Sequence, residues 1–429
     1  MMSYKKKVLI ITYYWPPAGG SGVQRWLKFS KYLRDFEIEP VIYTIDNPSY
    51  PILDKSSESE IPKDLEILKQ AIFEPNSLLS IFGSKSKKES AGFLNPNPTF
   101  FGSIIQYIRA NYFIPDARKF WIQPSVNFLS NYLENNHIDA IITTGPPHSM
   151  HLIGLELKKK LGIKWISDFR DPWTEIDYFQ QLPLTKKAIK KHQDLEQEVL
   201  RKSDMVIVVG ETMKDKFLKY TKRIEVLTNG FDTIETSLTQ ELDEKFSITH
   251  VGLMNSDRNP TILWEVLNEI SNTNLNFKND LRIKLIGKLD DAVIQDLKVF
   301  DHNTIETIPY LDHKDVSKYQ ASSQILLLSI NEVPSAKGII TGKIFEYLQA
   351  KRPILAIGPE DGDAAMILKN TNAGTIVGFK NKTALKATIL KLYKDFKEEK
   401  LVVKSINIEQ YHRKNITSQL AEVIKKVVS

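Results

Sequence analysis

The segment Val8-Leu9-Ile10-Ile11-Thr12-Tyr13-Tyr14 is a continuous, largely apolar run that stops at Pro16-Pro17-Ala18-Gly19-Gly20. A run without alternation is what a strand buried on both faces requires. Behind the loop, Val23 to Leu33 carries a helical apolar pattern through Trp26, Leu27, Phe29 and Leu33. Pro40-Val41-Ile42-Tyr43-Thr44-Ile45 then reads as a second strand. Strand, loop, helix and strand in that order imply a parallel sheet, because parallel neighbours need a crossover that returns the chain to the same edge. No other feature constrains the fold as strongly.

The unit recurs. Asp139–Thr144 is a strand, His148–Leu161 a helix and Lys164–Asp168 a strand. An amphipathic helix over Thr185–Lys202 leads to the strand Asp204–Val209, and Arg223–Leu227 runs into Thr228-Asn229-Gly230-Phe231-Asp232. After about residue 235 the pattern restarts with Phe246–Gly252, a helix from Pro260 to about Ser271, and strands at 281–287, 305–308, 325–329, 353–357 and 373–377. The expected fold class is α/β, with two facing Rossmann-like doubly wound parallel-sheet domains. Their boundaries are 1–235 and 236–409, with a helix over about 410–429 packing back on the first domain. Ligands in such domains bind at the carboxyl ends of strands, and the cleft between two facing domains is the default site.

The stretch 48–119 departs from the rhythm. Ser84-Lys85-Ser86-Lys87-Lys88-Glu89-Ser90 and Asn95-Pro96-Asn97-Pro98 read as loop, followed by an aromatic and basic part from Phe100-Phe101 through Tyr107, Arg109 and Tyr112-Phe113. It is either a solvated excursion or a lid facing the acceptor or a membrane. The chain has 429 residues, 42% of them hydrophobic and 26% charged, enough for two cores. It has no cysteine, which excludes disulfides, thiolate nucleophiles and cysteine-held metals. The formal charge of +6 suits an anionic ligand or membrane surface but is no nucleic-acid-binding stripe. The start, Met1 to Lys7, does not read as a signal peptide, and no apolar window reaches the roughly 18 residues of a membrane span. A cytoplasmic protein, with the inner membrane face as a further station, is the expectation.

Several loops at strand ends hold candidate site residues. Gly19 and Gly20 could let backbone amides approach a phosphate or a sugar, or make a plain tight turn. The spacing is not the dinucleotide fingerprint, because Arg25 stands where a small residue belongs. Thr341-Gly342-Lys343 opens a helix and places Lys343 and Glu346 one turn apart. A lysine with free amides suits a diphosphate and a carboxylate suits vicinal hydroxyls, although a surface ion pair would look the same. The sequence around it is not a Walker loop, since Ile344 occupies the Ser/Thr position. Asp361-Gly362-Asp363 is explained by helix capping. Asp168, Arg170 and Asp171 crowd one strand end, as a ligand site or a buried ion-pair network. His148 follows Gly145-Pro146-Pro147, with His151 three residues on. Arg258 lies after strand 248–251, where an arginine can hold phosphate.

Taken in order, these motifs resemble the family-4 retaining glycosyltransferases of the GT-B fold. The resemblance rests on the strand and Gly19-Gly20 loop, Gly145-Pro146-Pro147-His148, Asp168-Phe169-Arg170-Asp171-Pro172-Trp173, Thr228–Asp232, His250-Val251-Gly252 with Arg258, and Thr341–Leu348 followed by Pro353–Ala356. It spans most of the chain outside 48–119. It implies a nucleoside diphosphate sugar donor, a uridine one by commonest usage, and a glycan or lipid-linked acceptor in cell-surface polysaccharide synthesis. It implies no metal and no separate cofactor. By the resemblance Glu346 holds the ribose hydroxyls, Gly19 and Gly20 approach diphosphate and acceptor, Arg258 neutralises the diphosphate, and His148 contacts the transferred sugar. Asp168, Arg170 and Asp171 match an edge motif. The family's lysine shortly after the arginine is missing, as Thr261-Ile262-Leu263 stand there, and Lys343 is the candidate second charge. The family's first motif glutamate falls on Gly338. Chemistry then rests on electrostatic stabilisation of the leaving diphosphate by Arg258, Lys343 and the amides near Gly342, with domain closure excluding water. The alternatives are a nucleotide-sugar 2-epimerase of the same fold and a non-catalytic nucleotide-sugar-binding subunit.

Overall fold

The structure is a computed structural model and describes residues 5–48, 50, 52–72, 100–232, 241–309, 311 and 313–429. The Ser84–Ser90 and Asn95–Pro98 loops therefore lie outside the described residues. The chain divides into two units, one comprising residues 1–229 with 413–429 and the other 230–412.

The first unit is built on seven strands, β1 (Lys6–Ile11), β2 (Ile38–Ile45), β3 (Glu66–Gln70), β4 (Ala140–Gly145), β5 (Lys164–Phe169), β6 (Met205–Val208) and β7 (Ile224–Val226). They pair in the order β3-β2-β1-β4-β5-β6-β7, and every pairing is parallel. The order reverses between β1 and β4, which sends the following loops of these two strands apart and opens a crevice at their carboxyl ends. One apolar cluster lies on each face of the sheet. Leu9, Ile141, Trp165 and Val206 belong to one, Ile10, Ile142, Ile166 and Ile207 to the other. Neighbouring strand residues point to opposite faces and both are covered, which is why these strands read as unbroken apolar runs.

The second unit repeats the plan with β8 (Phe246–Val251), β9 (Leu281–Ile286), β10 (Ile305–Ile308), β11 (Ile325–Ser329), β12 (Ile354–Ile357) and β13 (Gly374–Val377). The order is β10-β9-β8-β11-β12-β13, again all parallel, with the reversal between β8 and β11. The expected class of two Rossmann-like parallel-sheet domains is thus observed.

The element boundaries differ from expectation by one to three residues. The helix expected from His148 begins at Ser149, with His148 as its N-cap, and ends at Gly162, whose φ of 68° is left-handed. Thr185 caps the next long helix, Lys186–Lys202, by accepting from the Ala188 amide. The chain leaves the first unit after Asn229 rather than at 235. The Phe231 amide donates to the Tyr411 carbonyl, 3.0 Å away, and Phe231 bridges to His412, so both residues are tied into the second unit. The final helix, Arg413–Val428, belongs to the first unit. Its Ile416, Leu420 and Ile424 are buried in the same cluster as Trp26, Leu27 and Phe29.

The 48–119 stretch includes regular elements in its described parts. It contributes the edge strand β3, which extends the sheet beside β2 from Val41↔Glu66 to Ile45↔Gln70. It also contributes a helix over Phe100–Tyr112. Among the described residues no helix is long and apolar enough to cross a membrane.

Candidate functional site

Each unit gathers charged and polar side chains at the carboxyl ends of its strands beside the reversal point. In the first unit the centre is Asp168, the fifth residue of β5 and fully buried. Its carboxylate accepts from Arg25 Nη2 at 2.8 Å, from Arg25 Nε at 3.2 Å, from Trp26 Nε1 at 2.7 Å and from Thr144 Oγ1 at 2.9 Å. Burial works to raise this carboxyl, but the Arg25 guanidinium, the hydrogen bonds and the nearby Arg170 charge outweigh it and hold the pKa below the ordinary value. Arg25 is equally committed, with Nη1 donating to the Thr228 carbonyl at 3.0 Å and to Asn229 Oδ1 at 3.3 Å. Asp168 therefore has no free face for a substrate. It anchors Arg25, and Arg25 ties the first helix to the end of the 1–229 stretch.

Arg170 donates from Nη1 to the Gly22 carbonyl at 2.9 Å and from Nη2 to the Pro146 carbonyl, and its guanidinium lies 5.9 Å from the Tyr14 ring centre. It thereby links the start of the helix that follows β1 (Ser21–Tyr32) to the loop after β4. A Cβ on Gly22 would stand 2.8 Å from Arg170 Nη1, so a larger residue there would displace the guanidinium. Asp171 reaches solvent, yet its dense protein surround raises its carboxyl, with Arg170 acting against that rise. The two predicted loop glycines differ. The Gly19 amide already donates to the Ile52 carbonyl at 2.9 Å, and a Cβ on it would meet Ile52 Cγ2 at 2.7 Å. Gly20 has a φ of 94° and nothing within 4 Å of a Cβ, so it is the open one.

His148 is buried, and its ring stacks flat on Trp173 with centres 4.8 Å apart and planes 4° from parallel. Neither ring nitrogen has a protein partner. Burial pushes its pKa well below the ordinary value, helped by the neighbouring His151, Arg170 and His192, so it is a neutral imidazole near pH 7. His151 is stacked on Phe169, pairs through Nδ1 with Thr143 Oγ1 at 2.9 Å, and is lowered by burial to about 3.

In the second unit β8 ends at Val251 and the chain turns at Gly252, with φ 98°. The missing side chain has a purpose. Lys343 occupies the space, with Cε 2.7 Å and Nζ 3.0 Å from where a Gly252 Cβ would be. Gly287 backs the turn, since its own Cβ would stand 2.8 Å from the Gly252 carbonyl oxygen. Lys343 is the first residue of the helix Lys343–Ala350. Tyr347 of the same helix fixes it against the sheet, its hydroxyl accepting from the Val251 amide at 3.1 Å and donating to the Leu327 carbonyl at 3.3 Å. Arg258 sits in a turn after β8. Its Nε donates to Asn331 Oδ1 at 2.9 Å and its Nη1 to the Leu253 carbonyl at 3.3 Å, both neutral acceptors.

No ion pair is made by Arg258 or Lys343 among the described residues. Burial, and then the repulsion of Arg258, push Lys343 down to about 7, with Glu346 opposing. Burial also lowers Arg258. The surface ion pair between Lys343 and Glu346 that the sequence allowed does not form. Glu346, half-buried, accepts instead from Gln320 Nε2 at 3.2 Å. Thr341 Oγ1 is buried without a protein partner, and Gly342 is exposed with nothing within 4 Å of a Cβ. Asp361 is taken up by Lys337 at 2.5 Å, and Asp363 begins a helix.

Arg25, Thr144, Asn331, Gln320 and Tyr347 were not read as site residues. Arg25 alone left a trace, as an arginine where a small residue would complete a fingerprint.

Two doubly wound parallel-sheet units, each with charged loops at its reversal point, are the architecture of the GT-B fold. The model of the family described as Glycosyltransferase Family 4 matches residues 90–235, which bears out the resemblance over that stretch. The fold is shared with Anabaena HepE in complex with UDP and glucose, at 13% identity over 98% of this chain and 99% of that one, TM-score 0.60. It is shared with S. aureus TarM at 13% identity over 98% of each chain, TM-score 0.60. A Listeria monocytogenes protein assigned as a UDP-N-acetylglucosamine 2-epimerase follows at 12% identity, covering 98% of this chain and 96% of that one, TM-score 0.55. No curated protein matches in sequence. The chain thus shares the GT-B fold of these structures, and over residues 90–235 it is similar to Glycosyltransferase Family 4.

Proposed function

We propose that the protein transfers a sugar from a UDP-sugar to a saccharide or lipid-linked acceptor with retention of configuration, in the synthesis of a cell-surface glycan. The observation that carries this reading is the pair Arg258 and Lys343. Two cations held close together, partly desolvated and without a carboxylate, lose free energy unless an anion joins them. A diphosphate supplies one, and the amides of Gly342 and Lys343, just ahead of the Ile344 and Phe345 amides that donate to the Thr341 and Gly342 carbonyls, extend the same site. Glu346, a turn further along with one carboxylate oxygen unassigned, suits the vicinal hydroxyls of a ribose. HepE binds UDP with glucose and UDP-glucose, which supports a uridine donor.

In this reading the bond from the anomeric carbon to the diphosphate oxygen breaks as the acceptor oxygen bonds to that carbon. The acceptor's proton passes to the departing phosphate oxygen. Arg258, Lys343 and the amides near Gly342 stabilise the growing negative charge, and no metal ion is required. In the first unit Gly20, Arg170, Asp171 and the neutral His148 are the residues offered to the acceptor. Asp168 and Gly19 hold that surface in shape rather than touch the substrate. Work at the inner membrane face fits a lipid-linked acceptor.

The test is release of UDP from a panel of UDP-sugars, with and without saccharide acceptors, in the native protein and in Glu346→Ala. Turnover that falls with the substitution supports the reading. UDP binding unchanged by Glu346→Ala would overturn it. Epimerised donor instead of UDP release would identify the 2-epimerase reading.

A further inference from the structure

The helix Phe100–Tyr112 is oriented against the usual rule. An amphipathic helix on a folded domain turns its apolar stripe inward. Here Ile104, Ile105, Tyr107, Ile108 and Tyr112 are 40–65% exposed. At roughly 100° per residue these side chains cover an arc of about 160°. Gly102, Gln106 and Ala110, on the other side, are half-buried, and so is Asn111, near the C-terminal end of the outward arc. Asn111 ties the helix down, donating to the Pro183 carbonyl at 2.8 Å and accepting from the Thr185 amide at 2.7 Å. A helix fastened by polar contacts with its isoleucines outward leaves an apolar face that water does not favour.

The charge around this face has one sign. No acid occurs between residues 100 and 115, and Asp116 is consumed by the Ser149 amide and hydroxyl at 2.9 and 2.8 Å. The helix to which Asn111 is tied opens with exposed Lys186 and Lys187, which make no ion pair among the described residues. Lys119 lies over the rings of Phe113 and Phe120. Apolar side chains outward with cations beside them match the boundary between acyl chains and anionic headgroups.

We propose that the outward face of Phe100–Tyr112, with Lys186 and Lys187 beside it, docks the protein on a bilayer containing anionic lipid. This rests on the reading of the chain as a transferase with a lipid-linked or cell-surface acceptor, and it names the surface that brings the enzyme to it. A second copy of the chain would need an acidic counterpart to these lysines, which the face itself does not offer.

The experiment is co-sedimentation of the full chain with phosphatidylcholine vesicles, with and without phosphatidylglycerol, alongside UDP binding by calorimetry without vesicles. Binding should require phosphatidylglycerol and fall by tenfold or more, about the loss expected for two buried side chains, in Ile104→Glu/Ile108→Glu. Lys186→Ser and Lys187→Ser should each weaken it about fivefold. UDP affinity should be unchanged in all of these variants, which also shows that they fold. Tyr112→Ser, at the most exposed position, gives an independent reading of the same face. Vesicle binding that is absent, or unaffected by these substitutions, overturns the proposal while intact UDP binding leaves the transferase reading standing. Self-association lost in Ile104→Glu/Ile108→Glu, measured by light scattering, would assign the face to a second copy and overturn it too. Vesicle binding without UDP binding would keep the surface and remove the transferase reading.

Discussion

The strand-end charges of the two units are put together differently. In the first unit Asp168 and Arg25 close on each other, with every strong hydrogen-bonding direction filled from Trp26, Thr144, Thr228 and Asn229. In the second, Arg258 donates only to neutral acceptors, Lys343 makes no ion pair among the described residues, and burial with the Arg258 charge pushes Lys343 down to about 7 against the opposing Glu346. Buried charges that satisfy each other hold a fold in one arrangement. Charges left without a counter-ion are tolerated where a ligand completes them. The contrast separates scaffold from binding site more sharply than the presence of charge does.

The largest effect should come from breaking the closed cluster. Asp168→Ala leaves Arg25 buried without its partner and should destabilise the first unit by about 3–5 kcal/mol, read as a lower midpoint in urea unfolding. Replacing both partners by apolar residues, Arg25→Met with Asp168→Leu, should restore much of that loss. If the double variant is no better than the single, the cluster is not self-contained.

Opening the second cluster further should do the reverse. Arg258→Ala should cost about 10²–10³-fold in turnover, since the negative charge it faces grows as the diphosphate departs, while thermal stability stays within about 1 kcal/mol of the native protein. Glu346→Ala should follow, with UDP affinity reduced about ten- to a hundredfold, the range for a hydrogen bond to a charged group.

The smallest effect is the pH dependence. Lys343 has a folded-state pKa depressed to about 7 from 10.5. Between these values the unfolded chain carries more protons, so stability should rise with pH across that window, and Lys343→Met should flatten the rise. UDP binding should take up a proton near pH 8, seen as a dependence of the binding enthalpy on buffer. His151, lowered from 6.5 to about 3, acts in acid. Its neutral form is favoured by the fold, so stability is lost as pH falls below about 6.5, and His151→Gln should reduce that loss.

Much of the fold was legible because buried parallel strands announce themselves. β11 and β12 are apolar on nearly every position, and their boundaries match the expected ones within a residue. β3 was missed since an edge strand has a neighbour on one side only, and Glu-Ile-Leu-Lys-Gln carries no continuous apolar run. The candidate residues were legible as loops at strand ends, but not their roles. Asp168 and Arg25 are 143 positions apart, and Gly252 and Lys343 are 91 apart. Nothing local says which charge meets which.

By itself the sequence determined the two α/β units, the places where loops leave the sheets, and the residue types available there, because burial on two faces and glycine's backbone freedom are local properties written in composition and spacing. Only the tertiary structure decided that Asp168 is saturated and Lys343 is not, that Gly19 is occupied and Gly20 open, and that the Phe100–Tyr112 helix turns its isoleucines outward. Those outcomes depend on desolvation and on partners brought together across the chain, and they exist only once the strands have set their order.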